Sequence, residues 1–573
     1  MSGAGSSAKA TGIRRWVPGI QMVRTYRRAW LTPDLIAGVV LAAILIPQGM
    51  AYAELAGLPA VTGLYTTIAC LLGYALMGPS RVLVLGPDSS VAPMIFAAIT
   101  PLLAGGDSAT AITLAGMLAL LVGAIEIGLG LAKLGVVADL LSKEVQVGYM
   151  NGLALTIIVG QLPKLFGFST DADGFLEEIR AFVDGLADTN TATLVLGLTT
   201  LAVLLLLPLV TKKVPAVLVA VVGATVAVGV LDLAAEGVAV TGELPQGLPT
   251  PSVPFTSLAD VGALLAAAVG IVFVSLADTI ATSSSFAAKR GEEVDPNQEM
   301  IGIGSANIAA GFFQGFAISA SGSRTAVAEQ AGSKTQVTGL IGAGIVVVML
   351  VAVPGLVANL PETALAAVVI AAAFSLVDLA SVRRYAKVRK GALLISIVAT
   401  LGVVLFGVLE GIVIAILLSI LLFFRRNWWP RGTVLGYSPS LESWHSVEAV
   451  ADAEPMSRVI VFRWEAPLFF ANAGLFRRAI RGLVAEAPGT RWIVLQCEAI
   501  TDIDVTAADV LREIDQELNA KGTHLGFAEL RTRLHERTLR YGLLETLDRE
   551  HFYPSIEAAV EDVRGDLEPP GDA

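Results

Sequence analysis

The sequence predicts a polytopic α-helical membrane protein. Fourteen spans form two seven-span halves in inverted repeat, and a small cytoplasmic α/β domain follows. Three observations carry this prediction. Of the 573 residues, 54% are hydrophobic and only 16% charged, with a mean hydropathy of +0.71, well below the charged fraction of about 25% usual in soluble domains. Two short polar, helix-breaking stretches interrupt apolar spans at matching places in the two halves, a pattern that marks the midplane site of transporters. After Pro430 the texture changes to short β-branched runs alternating with amphipathic ones, which implies an α/β domain.

The elements follow in order. Residues 1–30 read as a cytoplasmic N-terminal segment, because Arg14, Arg15, Arg24, Arg27 and Arg28 gather before the first span. No small-residue cleavage site follows a short apolar run there, so no cleaved signal peptide is expected. The first span covers about 35–53 and is expected to be interrupted at Ile46-Pro47-Gln48-Gly49. The second covers 60–77, and a broken third begins with Pro87 near its first position. The fourth and fifth cover about 111–131 and 145–159. An acidic connection over 169–189 follows, with Arg180 its one cation, and is placed outside. The sixth span ends at Lys212-Lys213, and the seventh covers 214–231. The connection 232–260 has no Lys or Arg and is placed outside.

In the second half the spans fall at about 262–286, 300–313, a half-helix at 321–330, then 337–356 and 364–379, closed by the basic cluster Arg383, Arg384, Lys387, Arg389 and Lys390. The apolar run Gly391–Phe424 would be roughly 51 Å long as one helix, against a hydrocarbon core of roughly 30 Å. It is therefore expected to fold back near Gly407–Gly411 into two spans. Seven spans per half, an odd number, make the repeat inverted. The transmembrane domain is assigned to residues 31–430, the α/β domain to 431–567, and a disordered tail to 568–573.

The chemistry concentrates at Gly315–Thr325. An arginine inside an apolar region is costly and normally faces a cavity where it has a function. A helix starting near Ser323 points unpaired N–H groups and the positive end of its dipole into that cavity. Arg324 adds a full charge, with Ser321, Ser323 and the Thr325 N–H as further donors. This is an anion site. The competing reading is that Arg324 pairs permanently with a carboxylate and only holds helices together. At the other broken stretch Ser89 and Ser90 supply donors, and Asp88 is read as a cap pointing aside. Gln48 and Tyr52, four apart, share a face of the first span. Asp278 and Thr282 share a face of the eighth, where a buried carboxylate can carry a proton or, with a hydroxyl and carbonyls, a Na⁺. A static Asp278–Arg324 pair is the alternative there. Glu54, Glu126 and Glu410 read as caps or packing partners.

These residues resemble the sulfate permease family, bacterial relatives of the animal solute-carrier anion exchangers and of prestin. The matching stretches are Ile46-Pro47-Gln48-Gly49-Met50-Ala51-Tyr52, Ala56-Gly57-Leu58-Pro59, Gly63-Leu64-Tyr65, Gly78-Pro79-Ser80-Arg81 with Gly86-Pro87, Gly160-Gln161-Leu162-Pro163-Lys164, Asn297-Gln298-Glu299 and Ser321-Gly322-Ser323-Arg324. Pro467–Ala473 and Ile503-Asp504-Val505-Thr506 look like the family's STAS domain. The resemblance spans about 30–563. It implies the uracil-permease-like fold with core and gate domains, a homodimer, elevator-like anion transport, and a substrate pocket lined by the positions of Gln48, Tyr52 and Arg324. The Asp278/Thr282 pair resembles the sodium site of cyanobacterial bicarbonate transporters. Val505 stands where the antagonist relatives carry a phosphorylatable serine, and Thr506 is expected to cap the helix it starts.

The function expected is secondary active transport of a small anion across the cytoplasmic membrane, coupled to protons or Na⁺. Sulfate is the first choice, followed by bicarbonate or a C4-dicarboxylate; an uncoupled channel and a signalling scaffold with a cytoplasmic protein partner are the other classes. Nucleic acid is excluded as a partner, since residues 433–573 carry 14 Lys+Arg against 24 Asp+Glu. All four histidines lie in that region, so a proton path through the membrane must use carboxylates. Cys70 and Cys497 suggest packing rather than a disulfide or metal, no cofactor is expected, and no nucleophilic triad or phosphate loop supports an enzyme.

Overall fold

The computed structural model describes residues 17–103, 107–135, 142–170, 172, 174–211, 214–543 and 549–567. Arg14, Arg15, Lys212, Lys213 and the tail 568–573 lie outside them. The chain separates into two compact units, Met1–Ser419 and Ile420–Ala573.

In the first half a short helix α1 (Pro18–Thr25) precedes α2 (Leu31–Leu55), α3 (Ala60–Met77), a two-residue strand β1 (Leu85–Gly86), the short α4 (Ala92–Ile99), α5 (Ser108–Leu131) and α6 (Lys143–Phe166). An amphipathic helix α7 (Phe175–Asp184), α8 (Thr191–Val210) and α9 (Ala216–Leu231) complete it. The second half repeats this order: α10 (Leu258–Ala288), α11 (Pro296–Phe312), β2 (Ser319–Ala320), α12 (Gly322–Gln330), α13 (Val337–Ala352), α14 (Glu362–Leu376), amphipathic α15 (Leu379–Val388), α16 (Lys390–Phe406) and α17 (Val408–Trp428). With α1, α7 and α15 set aside, these helices fall at the fourteen positions expected of spans. Packing is crossed between the halves. The second helix of each packs on the fourth of the other (α3 on α13, α11 on α5), and the fifth of each packs on the sixth of the other (α6 on α16, α14 on α8). Small residues permit the closest crossings: a Cβ on Gly63 would sit 1.8 Å from the Gly49 carbonyl oxygen.

The fold-back falls where the length argument puts it. Gly407 separates α16 from α17 with φ +102°, a conformation that favours glycine. Three expectations need correction. α2 runs unbroken through Pro47; the N–H that proline lacks costs little where neighbouring helices enclose the turn. α4 begins at Ala92, not Pro87, because the Asp88 side chain takes the Ser90 N–H (3.0 Å) and hydroxyl (2.8 Å) and holds a turn first. Of the basic cluster after span twelve, Arg383, Arg384 and Lys387 lie on a separate amphipathic helix, α15, and Arg389 and Lys390 lead into α16.

One buried carboxylate ties the start of α2 to the segment after α12. Asp34 accepts from the Lys334 N–H (2.7 Å), the Thr335 N–H (3.1 Å), and the Thr335 (2.7 Å), Thr338 (3.1 Å) and Tyr26 (3.2 Å) hydroxyls.

The C-terminal unit contains a six-stranded sheet of order β4-β3-β5-β6-β7-β8: β3 (Gly432–Ser438), β4 (Ser443–Ser446), β5 (Val459–Trp464), β6 (Trp492–Gln496), β7 (His524–Ala528) and β8 (Phe552–Tyr553). β5 to β8 are parallel, and β3 is antiparallel to β4 and β5. Helices α18 (Ala473–Glu486), α19 (Val505–Asn519) and α20 (Thr532–Arg540) cover the face carrying Ile493 and Leu495. α21 (Ile556–Leu567) covers the face carrying Trp492 and Val494. That alternation explains why every residue of β6 is buried. The cap of α19 is Asp504, not Thr506: its carboxylate accepts from the Ala507 N–H (2.7 Å) and also from the Phe470 N–H (2.8 Å). A carboxylate is the stronger acceptor and suits the positive helix end.

Candidate functional site

The two interrupted stretches meet. β1 and β2 pair antiparallel, Leu85 opposite Ala320 and Gly86 opposite Ser319, and each is followed by a short helix, α4 or α12. The Ser321 N–H donates to the Val84 carbonyl (3.1 Å), and the Thr325 hydroxyl accepts the Val84 N–H (3.0 Å). Ser321 caps α12, its hydroxyl accepting the Arg324 N–H (3.4 Å) and lying 3.1 Å from the Ser323 hydroxyl.

Arg324 is 1% exposed. Its Nη1 donates to the Pro87 carbonyl (2.6 Å), and its Nη2 lies 3.6 Å from Asp88 Oδ2, within ion-pair but not hydrogen-bond range. Nε and Nη2 have no hydrogen-bond partner among the described residues. A buried guanidinium with donors to spare is costly unless a ligand takes them. Gly86 makes the placement possible, since a Cβ there would sit 3.2 Å from Nη1.

Asp88 does not point aside. One oxygen caps Ser90 while the other faces Arg324. The carboxylate in ion-pair range of Arg324 is therefore Asp88, and no described pair joins Arg324 to Asp278. Asp278 lies half-buried on α10. Tyr52 is buried on α2. Ser89 and Ser90 are buried, Gln48 half-buried and Ser323 exposed. Thr282, half-buried on α10, has its hydroxyl 3.8 Å from where a Cβ on Gly322 would be, beside the start of α12. The Thr325 N–H is already engaged by the Ser321 carbonyl (2.9 Å), so Thr325 holds the frame rather than presenting that donor.

A supporting layer escaped the sequence reading. The segment entering β2 is held by side chains from three helices: Thr66 accepts the Phe316 N–H (3.1 Å), Asn307 the Ile318 N–H (2.9 Å) and Thr279 the Ala320 N–H (3.4 Å). Ser275, Thr279 and Thr282 are polar positions three or four apart in an apolar helix, a signal that could have revealed them. Glu54 pairs with Lys164 (3.6 Å), and buried Glu126 bonds Ser275 and Asn307; both join helices, as expected.

Arg324 and Asp88 put one positive and one negative charge in a buried volume, and half-buried Asp278 on α10 adds a further carboxylate to the same domain. Such a site can admit an anion on the guanidinium if a proton or metal cation balances the carboxylates. Among the described residues no cluster of three or more His, Cys, Asp or Glu suits a metal ion.

Residues 31–399 match the sulfate permease family and residues 451–559 the STAS domain. A probable sulfate transporter of Mycobacterium tuberculosis is 40% identical over 550 residues, covering 96% of this chain and 98% of that protein. Human solute carrier family 26 member 6 is 32% identical over 479 residues, 79% of this chain and 63% of that protein. Among solved structures, the murine solute carrier 26 family member A9 anion transporter in the inward-facing state superposes with a TM-score of 0.90 at 23% identity, covering 98% of this chain and 96% of that one. The transmembrane domain of a cyanobacterial bicarbonate transporter superposes with a TM-score of 0.61 at 23% identity, covering 69% of this chain and 98% of that one. The chain belongs to the sulfate permease family.

Proposed function

We propose that this sulfate permease family member is a secondary active transporter of a small oxyanion, sulfate first, driven by protons or Na⁺. The observation that carries the reading is the buried Arg324 guanidinium, whose Nε and Nη2 have no hydrogen-bond partner among the described residues, beside the starts of two half-helices. A tetrahedral oxyanion between them takes those N–H groups together with hydroxyls of Ser89 and of the bonded Ser321–Ser323 pair, while Ser90 spends its hydroxyl proton on Asp88 and holds the turn, and Gln48 and Tyr52 close the apolar side. Bidentate acceptance from a guanidinium suits an oxyanion better than a halide.

Charge balance supplies the coupling. With all groups ionised, Arg324, Asp88 and Asp278 sum to minus one before any substrate enters. Bringing in a divalent anion without a compensating cation carries a heavy desolvation and repulsion cost. A proton on Asp278, or a Na⁺ held by Asp278, Thr282 and backbone carbonyls, removes it. The placement of Thr282 beside the start of α12 favours a second reading, Na⁺-driven bicarbonate transport, because cation and anion would then share the end of one half-helix. C4-dicarboxylate is the third candidate.

In this reading the chain lies in the cytoplasmic membrane as a homodimer with both termini in the cytoplasm. The half-helix bundle moves as an elevator against the remaining helices, and the STAS domain meets a cytoplasmic protein partner. Uptake of labelled sulfate, bicarbonate and succinate into proteoliposomes, crossed against Na⁺ and pH gradients, tests the proposal. Accumulation above equilibrium in step with one cation gradient is the expected outcome. Flux that only dissipates a gradient would make it a channel, and no flux at all would favour a scaffold.

A further inference from the structure

Glu126 on α5 is fully buried, and among the described residues no cation forms an ion pair with it. Its two oxygens join a closed ring of hydrogen bonds through Ser275 on α10, Asn307 on α11 and the backbone of Ile318, one residue before β2. The ring distances are 3.1 Å from Glu126 Oε1 to Ser275 Oγ, 3.3 Å from Ser275 Oγ to the Ile318 carbonyl oxygen, 2.9 Å from the Ile318 nitrogen to Asn307 Oδ1, and 2.8 Å from Asn307 Nδ2 to Glu126 Oε2.

The direction of each bond follows from groups whose roles are fixed. A backbone N–H only donates, so Asn307 must turn its carbonyl oxygen to Ile318 and its amide N–H to Glu126. A backbone carbonyl only accepts, so the Ile318 contact is a hydrogen bond only when Ser275 gives it the single hydroxyl proton. The Ser275 oxygen then faces Glu126 as an acceptor, and Glu126 Oε1 has to donate. An ionised carboxylate has no proton to give. It would draw the Ser275 hydroxyl to itself and leave the Ile318 carbonyl, in a fully buried setting, without that donor.

We infer that Glu126 is held as the neutral carboxylic acid. It is a positioning residue for the anion site, its proton completing the ring that fixes both backbone polar groups of Ile318 and so the course of β2 into Ser321 and Arg324. The inference rests on the reading of that segment as the anion site. Protonation and transport are therefore read separately, so that either can fail without the other.

The test compares the full-length protein with Glu126→Gln, whose amide can donate to Ser275 and accept from Asn307, and with Glu126→Ala and Ser275→Ala, which open the ring. Infrared difference spectra of wild type against Glu126→Gln at neutral pH should show loss of the carbonyl stretch of a protonated carboxylic acid. Loss of a carboxylate band instead overturns the neutral assignment. In proteoliposomes that take up anion with wild-type protein, Glu126→Gln should keep KM within about twofold, whereas Ser275→Ala and Glu126→Ala should raise KM about tenfold, the scale of a lost buried hydrogen bond. Should Glu126→Ala fail to fold, Ser275→Ala carries that arm. Glu126→Gln impaired as much as Ser275→Ala, with both proteins monodisperse, overturns the positioning role. Absence of uptake by wild type counts against the transport reading and leaves the infrared result standing.

Discussion

The two interrupted stretches occupy equivalent places in the two halves, yet they are built differently. Leu85-Gly86-Pro87-Asp88-Ser89-Ser90 leads into an apolar half-helix and brings a carboxylate that first serves its own turn. Ser319-Ala320-Ser321-Gly322-Ser323-Arg324 leads straight into its half-helix, capped by Ser321, and brings the guanidinium. The repeat supplies a symmetric frame, with paired strands and crossed helices. The substitutions within it put opposite charges on the two sides. On the function proposed above, the lesson is that an inverted repeat can make an anion site and its counter-charge from one motif, by loading the copies unequally.

The comparison can be broken most sharply on the basic side. Arg324→Ala should lower anion uptake in proteoliposomes at least about a hundredfold, since charge-assisted bonds in a buried site are lost. Arg324→Lys should rescue little, because an ammonium cannot reach Pro87 and present a two-pronged face at once. Unchanged uptake in either would return Arg324 to a purely structural pairing.

Next come the acids, which should separate. Asp278→Asn should abolish the dependence of uptake on its driving cation and cut uphill accumulation about tenfold or more, while anion binding survives. Asp88→Asn leaves the cap acceptor for Ser90 but removes the charge facing Arg324. It should tighten anion binding severalfold at equilibrium, measured by titration of the purified protein. If Asp88→Asn instead destroys binding, Asp88 supports the site rather than opposing the anion. The smallest effect is expected at Gly86→Ala, where the added carbon would sit 3.2 Å from Arg324 Nη1 and displace it by a few tenths of an ångström. A roughly two- to fivefold rise in KM is expected, on the scale of a strained polar contact; an unaltered KM would mean that the guanidinium has room to spare.

Local signals made much of this legible. Apolar run lengths located the long helices, the length mismatch with the bilayer located the break at Gly407, and polar small residues in an apolar setting located both β1–α4 and β2–α12. What escaped depends on contacts between distant parts of the chain. Asp88 turns its second oxygen toward Arg324, 236 positions away, and the Glu126 ring joins α5, α10 and α11. Pro47 reads as a break by propensity, but tertiary enclosure keeps α2 helical. In the C-terminal unit α18 interleaves Arg477, Arg478 and Arg481 with the apolar Phe476 and Ile480 that face the sheet, which blurs its period in the sequence.

The central claim is that an oxyanion rests on the Arg324 guanidinium between the starts of α4 and α12. Selenate is an isostere of sulfate with a usable anomalous signal, so crystals grown in selenate locate the anion directly. An anomalous peak within hydrogen-bond reach of Arg324 Nε and Nη2, lost in Arg324→Ala, is the predicted result. Selenate bound elsewhere in the membrane domain, with Arg324 closed onto Asp88, would contradict the account.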